Sequence, residues 1–113
     1  METARYLANR GARVTCTDLR SEGELESSIV SLTGLDIRYV LGQHRMEDFD
    51  GADIIVKNPA VPSDSKWIAG RGNIETDISL FLRSSDSPVL AVTGSKGKST
   101  VVSALNHMLK ARY

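Results

Sequence analysis

The chain contains 113 residues, which suits a single domain of ordinary size and is short for two full ones. Its 14 basic and 14 acidic residues balance to zero formal charge, so no basic excess points to a nucleic-acid partner. The single cysteine, Cys16, excludes an internal disulfide framework, and no apolar run approaches the roughly 20 residues of a membrane span. These features predict a soluble, cytoplasmic protein that contacts neither nucleic acid nor membrane.

Hydrophobic periodicity and breaks at glycine and proline divide the chain into alternating helices and strands. In chain order they predict a helix over 2–10, a strand over 12–17, a helix over 22–32, strands over 36–41 and 53–57, a helix over 63–69, an extended pair at 73–74 and a helix over 75–83. A polar linker at 84–88 precedes a strand over 88–93 and a helix over 98–112. This alternation predicts an α/β fold with a Rossmann-like open parallel sheet, which begins on a helix and so lacks its usual first strand.

A glycine-rich phosphate loop lies between the last predicted strand and the last helix. It consists of Gly94, Ser95, Lys96, Gly97, Lys98, Ser99 and Thr100. Glycines let backbone N–H groups converge on phosphate oxygens, Lys98 can neutralise phosphate charge, and Ser99 can offer a hydroxyl to Mg²⁺. Val92 stands where the general G-x-x-x-x-G-K-[ST] pattern has its first glycine. The alternative is a strand-to-helix turn that uses glycine for geometry alone.

Three polar residues follow predicted strands at the edge where open α/β sheets bind ligands. Asp18 can accept a hydrogen bond from a ribose hydroxyl or a base, Arg20 can contact a diphosphate, and Asn58 can bond a ligand from a proline-stiffened loop. The alternatives are a helix-capping aspartate with a solvated arginine, and a rigid connector at Asn58.

The remaining polar and aromatic residues have simpler interpretations. His44 and His107 lie far apart in the chain, which argues against a structural zinc site, and we expect both at the surface. Trp67 is expected to pack its helix, and Cys16 to pack its strand.

Taken together, these motifs identify a family resemblance. The string at 91–100 resembles the ATP-binding loop of the Mur ligases, whose pattern is close to T-G-[ST]-N-G-K-[ST]-T. The segments at 17–20, 58–62 and 75–81 look like landmarks of the branch that adds D-glutamate. Lys96, Ser79 and Leu19 depart from the usual residues of that branch, which has asparagine, glutamate and a hydroxyl residue at these positions.

The resemblance implies an ATP-dependent, amide-forming ligase of cytoplasmic peptidoglycan precursor synthesis, and therefore of cell-wall biogenesis. In that family ATP phosphorylates the carboxylate of UDP-N-acetylmuramoyl-L-alanine, and the amine of D-glutamate attacks the resulting acyl phosphate. Carried over, the loop at 94–100 would hold ATP, with Mg²⁺ on Ser99, while Asp18, Arg20 and Asn58 would face the uridine diphosphate. No residue outside the ATP loop would be catalytic here, and the full-length family member would be a monomer.

The same resemblance implies that the chain is a piece of a larger enzyme. Residues 1–86 would form most of a UDP-binding domain, and residues 87–113 the start of a central ATP-binding domain. A glycine-rich turn would precede Met1, and the rest of the ATPase and the amino-acid-binding domain would follow Tyr113, so we expect the chain to be inactive alone. The alternatives are a piece of another Mur or folylpolyglutamate synthase-like ligase, a stand-alone nucleotide-sugar binding module, and a small independent phosphate-loop NTPase.

Overall fold

A computed structural model describes residues 2–112 and divides the chain into two compact units, Met1–Phe81 and Leu82–Tyr113. The helices are α1 (Glu2–Asn9), α2 (Glu22–Val30), α3 (Met46–Asp50), α4 (Asp77–Ser84) and α5 (Lys98–Lys110). The strands are β1 (Val14–Asp18), β2 (Ile37–Leu41), β3 (Ile55–Val56) and β4 (Ile74–Glu75). None of the helices in this described part of the chain is long and apolar enough to cross a membrane.

All strand pairs are parallel, as the alternation predicts, and the α/β class is confirmed. β1 pairs with β2 in a register that runs from Val14 opposite Ile37 to Asp18 opposite Leu41. β3 pairs with β4 over only two residues, with Ile55 opposite Ile74. The single open sheet is not formed, since residues 2–112 hold two separate two-stranded sheets. The second stays short because its extended backbone ends at Asn58-Pro59, where proline has no N–H for a ladder.

Local capping accounts for two of the helix boundaries. The backbone N–H of Ser21 donates to the Glu24 side chain at 2.8 Å, which forms a capping box at the start of α2. At α4, Thr76 and Ser79 exchange bonds: the Thr76 N–H donates to Ser79 Oγ at 2.7 Å, and the Ser79 N–H donates to Thr76 Oγ1 at 3.1 Å. Ser79 therefore does the capping work that glutamate often does at this position of a helix.

The core lies in the first unit and is small. Among the described residues, its buried apolar side chains are Leu25, Leu32, Val40, Ile55 and Ile68, and Leu32 is fully buried. Leu25 lies on α2, and Leu32 follows shortly after the end of that helix. Ile68, by contrast, comes from a segment with a different structure from the predicted one.

The predicted helix over 63–69 is replaced by consecutive turns. The Ser65 N–H donates to Pro62 O at 3.1 Å, and the Ile68 N–H donates to Ser65 O at 2.9 Å. Gly70 then takes a left-handed conformation with φ of +74°, which stops any helical continuation. Between Pro62 and Gly70 the segment forms separate turn bonds and not a continuous helical ladder, yet its turns still bury Ile68.

The second unit contains α5 but not the predicted strand over 88–93. Residues 85–97 form neither helix nor strand. A strand needs a neighbouring strand to accept and donate its ladder bonds, and the described residues of this unit supply none. Val101, Val102, Met108 and Leu109 of α5 are exposed, as we expect for a helix face without a packing partner.

Candidate functional site

A cleft of about 330 Å³ opens in the first unit at the carboxyl ends of β1 and β3. The carboxyl ends of these strands supply part of its lining, with Asp18 as the last residue of β1 and Asn58 shortly after β3. The rest comes from polar and apolar side chains that include Thr17, Leu19, His44, Phe49, Lys57, Val61, Trp67 and Ile68. Two of the three residues predicted to face a nucleotide therefore line one cleft.

Asp18 is fixed by Arg20. Its Oδ1 accepts bonds from the Arg20 backbone N–H at 2.9 Å and from Nε at 3.1 Å, and Oδ2 accepts from Nη2 at 2.8 Å. Hydrogen bonds from the Arg20 side chain lower the pKa of the Asp18 carboxyl, whereas partial burial acts in the opposite direction. Asp18 does not cap α2, because Ser21 is the N-cap residue. It remains a charged acceptor at the mouth of the cleft.

Arg20 does not line the cleft, and it is connected to the cleft by its hydrogen bonds to Asp18. Its side chain is 60 % exposed, so the guanidinium keeps contact with solvent while its Nε and Nη2 groups engage the carboxylate. A planar guanidinium in this position can turn its outer edge to a phosphate.

Asn58 holds the loop after β3 in shape. Its side-chain Oδ1 accepts from the Ala60 N–H at 2.9 Å, and Lys57 Nζ donates to Val61 O at 2.8 Å. These bonds are what a rigid connector requires. Because only Oδ1 is used among the residues that the structure describes, the side-chain NH₂ is left to donate to a ligand.

His44, Phe49 and Trp67 form an aromatic cluster in the cleft that the sequence reasoning missed. Phe49 and Trp67 stack with ring centroids 5.7 Å apart, and His44 packs edge-on against both, at 5.8 and 5.3 Å. His44 Nδ1 lies 2.6 Å from the Thr17 hydroxyl at the end of β1. The cluster therefore joins the wall of the cleft to the strand that carries Asp18.

The expectation that His44 lies at the surface is wrong, because its ring is half-buried among these partners. It follows β2 by three residues, so the strand-end rule that selected Asp18 and Asn58 would have selected it too. Trp67 packs on Phe49 from a turn and not within a helix, and the sequence predicts no element where α3, which carries Phe49, lies. His107 is exposed on α5, as predicted.

The phosphate loop lies in the second unit and is shaped by its glycines. Gly94 has φ of +151° and Gly97 has φ of +78°, both in the range that L side chains rarely adopt. Gly97 is also the N-cap of α5 and provides no side-chain cap, so the first N–H groups of a 13-residue helix remain available to an anion. Lys98 Nζ donates to the Gly94 carbonyl and so curls over the loop.

These residues fit a nucleotide phosphate. Ser95, Lys96, Ser99 and Thr100 are all exposed around the loop. Lys98 contributes a cation, the helix start contributes N–H donors, and Ser99 contributes a hydroxyl of the kind that binds Mg²⁺. Within residues 2–112 no group of three or more His, Cys, Asp or Glu side chains could hold a metal ion.

Comparison with known proteins gives relatives but no matching family model or solved structure. A protein of Borreliella burgdorferi (strain ATCC 35210 / DSM 4680 / CIP 102532 / B31) named UDP-N-acetylmuramoylalanine--D-glutamate ligase is 52% identical over 112 residues, which cover 97% of this chain and 25% of the relative. Proteins of the same name are 48% identical in Treponema pallidum (94% of this chain, 21% of the relative) and 46% identical in Roseiflexus sp. (97% and 24%). The chain thus spans about a quarter of the length of the curated relatives it matches.

Proposed function

Because the chain belongs to the family of UDP-N-acetylmuramoylalanine–D-glutamate ligases, as its resemblance to the Mur ligases predicts, we propose that it contributes nucleotide-binding sites to such an enzyme. The reaction would add D-glutamate to UDP-N-acetylmuramoyl-L-alanine in peptidoglycan precursor synthesis. Residues 1–86 would belong to the UDP-binding domain and residues 87–113 to the ATP-binding domain. The site in each part supports this division.

The uridine diphosphate of the substrate would bind in the cleft at the ends of β1 and β3. The observation that carries this proposal is the convergence of Asp18 and Asn58 on that cleft from separate strands. Asp18 would accept a hydrogen bond from a ribose hydroxyl or a base N–H. Arg20 would hold Asp18 and approach the diphosphate, and the free NH₂ of Asn58 would donate to the same nucleotide.

ATP would bind at residues 94–100 of the second unit. The positive φ of Gly94 and Gly97 and the start of α5 without a side-chain cap support this, because phosphate-binding loops use such glycine conformations and free helix N–H groups. Lys98 would leave the Gly94 carbonyl to neutralise phosphate charge, and Ser99 would take Mg²⁺. Bound ATP would supply the phosphoryl group that activates the substrate carboxylate as an acyl phosphate, from which the amine of D-glutamate displaces phosphate.

We further propose that these 113 residues bind nucleotides without completing the ligation by themselves. They correspond to about a quarter of each curated relative, and their described sites present phosphate- and nucleotide-binding groups. Release of phosphate by the purified chain in the presence of ATP, Mg²⁺ and both substrates would contradict this.

A nucleotide-sugar binding module is the second candidate, and one observation favours it. All lining residues of the cleft belong to the first unit, so that unit alone carries the groups proposed to face the nucleotide. The two candidates differ at the ATP loop. Binding of UDP but not of ATP–Mg²⁺ by the chain would support the module over the ligase.

Isothermal titration calorimetry with UDP tests the cleft. The chain should bind UDP, and Asp18→Asn, which keeps the shape of the side chain and removes its charge, should weaken binding about tenfold. Asp36→Asn, an exposed aspartate before β2 at the opposite end of the first sheet, is the matched control and should leave the affinity unchanged. Equal affinity of the wild type and Asp18→Asn would rule out the proposed role of Asp18.

A further inference from the structure

Arg71 forms hydrogen bonds with both of the aromatic residues that stack in the cleft. Arg71 itself does not line the cleft. Its Nε donates to the backbone carbonyl of Trp67 at 3.0 Å, and its Nη1 donates to the backbone carbonyl of Phe49 at 3.2 Å. Its Nη2 pairs with Asp50. The side chain is 22 % exposed, so most of this guanidinium is removed from water.

The tie matters because Trp67 lies in turns and not in a helix or strand. No sheet ladder holds its backbone, whereas Phe49 belongs to α3. The guanidinium therefore supplies donors to carbonyls on two separate segments that must stay aligned for the rings to stack at 5.7 Å. A planar fork can serve both carbonyls at once, while a lysine ammonium is a point charge on a flexible stem.

The alignment extends from the stack to the nucleotide-facing strand. His44 packs on both rings, and its Nδ1 contacts the Thr17 hydroxyl, one residue before Asp18. A displaced Trp67 or Phe49 would leave His44 without its packing surfaces, and the end of β1 would lose that contact. Arg71 therefore influences the cleft indirectly, through residues that line it.

We propose that Arg71 is a positioning residue for nucleotide binding, which it supports by fixing Phe49 and Trp67 through their backbone carbonyls. This inference rests on the proposed binding of UDP in the cleft. The support of nucleotide binding is assigned to the hydrogen bonds that Arg71 donates to the two backbone carbonyls, and not to its ion pair with Asp50. Substitutions can separate these two interactions.

Arg71→Lys and Asp50→Asn form the matched pair for the test. Arg71→Lys keeps a cation for Asp50 but loses the fork, and should weaken UDP binding about tenfold in calorimetry. Asp50→Asn removes the charge of the 61 % exposed partner but leaves both carbonyl bonds, and should change affinity less than about twofold. Arg71→Gln should resemble Arg71→Lys, and thermal melts identify any variant that fails to fold.

Trp67 provides a second readout, since it is the only tryptophan in the chain. Without ligand, its near-ultraviolet circular dichroism and emission should change in Arg71→Lys and remain as in the wild type in Asp50→Asn. A merely global loss of stability would leave the spectrum of the folded protein unaltered at low temperature.

The outcomes separate the inference from the function on which it rests. Wild-type affinity and an unchanged Trp67 spectrum in Arg71→Lys would overturn the inference alone. Equal weakening by Arg71→Lys and Asp50→Asn would also overturn it, because the ion pair would then carry the effect. Failure of the wild-type chain to bind UDP would overturn the proposed function and, with it, the role of Arg71 in nucleotide binding.

Discussion

The cleft of the first unit and the phosphate loop of the second are built in different ways. Residues from β1, β3, α3 and the turns near Trp67 meet in the cleft, and they are held by hydrogen bonds and ring contacts between distant parts of the chain. The phosphate loop is seven consecutive residues whose shape comes from Gly94, Gly97 and the start of α5.

This difference shows which interactions determine the structure of each site. The cleft depends on burial, since Ile55 and Ile68 of the core also line it. The loop depends on backbone conformation and local charge, since the residues around it are exposed. Core substitutions should therefore damage the cleft, and substitutions of glycine and lysine should damage the loop.

The largest expected effect comes from breaking the core of the first unit. Leu32 is 1 % exposed, so Leu32→Ala should lower the free energy of unfolding by about 2–5 kcal/mol. The equivalent loss of methyl groups in Val102→Ala on α5, which is 51 % exposed, should cost no more than about 0.5 kcal/mol. Urea denaturation followed by Trp67 emission measures the loss in Leu32→Ala. Urea denaturation followed by helical circular dichroism measures the loss in Val102→Ala. Similar losses in both variants would contradict the contrast in burial.

The second effect is on ATP binding at the loop. Lys98→Gln should weaken ATP–Mg²⁺ binding at least about tenfold, because Lys98 begins α5 beside the N–H groups that we propose bind phosphate. Lys96→Gln removes the same charge two residues earlier and should weaken binding only about twofold. Calorimetric titration with ATP–Mg²⁺ compares them, and a larger loss in Lys96→Gln would reverse the assigned roles.

Prediction from sequence succeeded where the signal is local. The predicted starts of α2 at Glu22 and of α5 after Gly97 depend on residues within a few positions of one another. The glycine-rich loop is also a contiguous pattern, and its role in phosphate binding stays a prediction.

Prediction failed where structure depends on distant partners. The aromatic cluster joins His44 and Phe49 to Trp67 across more than one element, and no periodicity in the sequence reports that contact. The apolar run at 88–93 has the composition of a strand, but strand formation also needs a neighbour. Between Pro62 and Gly70 the segment near Trp67 forms turns and not the predicted helix, although Ile68 is still buried.

A third effect contrasts two glycines in helical surroundings. Gly97 has φ of +78°, so Gly97→Ala should destabilise the start of α5 by about 1 kcal/mol. Gly23 lies within α2, where an added Cβ meets nothing within 4 Å, so Gly23→Ala should stabilise that helix by about 0.5–1 kcal/mol. Hydrogen exchange should accelerate at the Val101 amide, which donates to Gly97 O, and slow down in α2. Changes of the same sign in both variants would refute the conformational argument.

The smallest effect concerns pH and Asp18. Its folded-state pKa is lowered by Arg20, so the stabilisation is complete above the ordinary carboxyl pKa of about 4 and is lost as the pH falls through the lowered value. Arg20→Gln should reduce this acid dependence, and the change should be small because the pair is largely exposed. Urea denaturation midpoints of the wild type and Arg20→Gln, measured from pH 6 down to pH 2, test this prediction. Identical pH profiles of the two proteins would contradict it.

The most direct test titrates the isotopically labelled wild-type chain with UDP and then with ATP–Mg²⁺ while two-dimensional NMR spectra are recorded. UDP should shift the amides of Asp18, His44 and Asn58 and the indole N–H of Trp67, and ATP–Mg²⁺ should shift residues 94–100. Shifts from UDP that fall outside the cleft, or no shifts at millimolar UDP, would contradict the nucleotide site at the ends of β1 and β3.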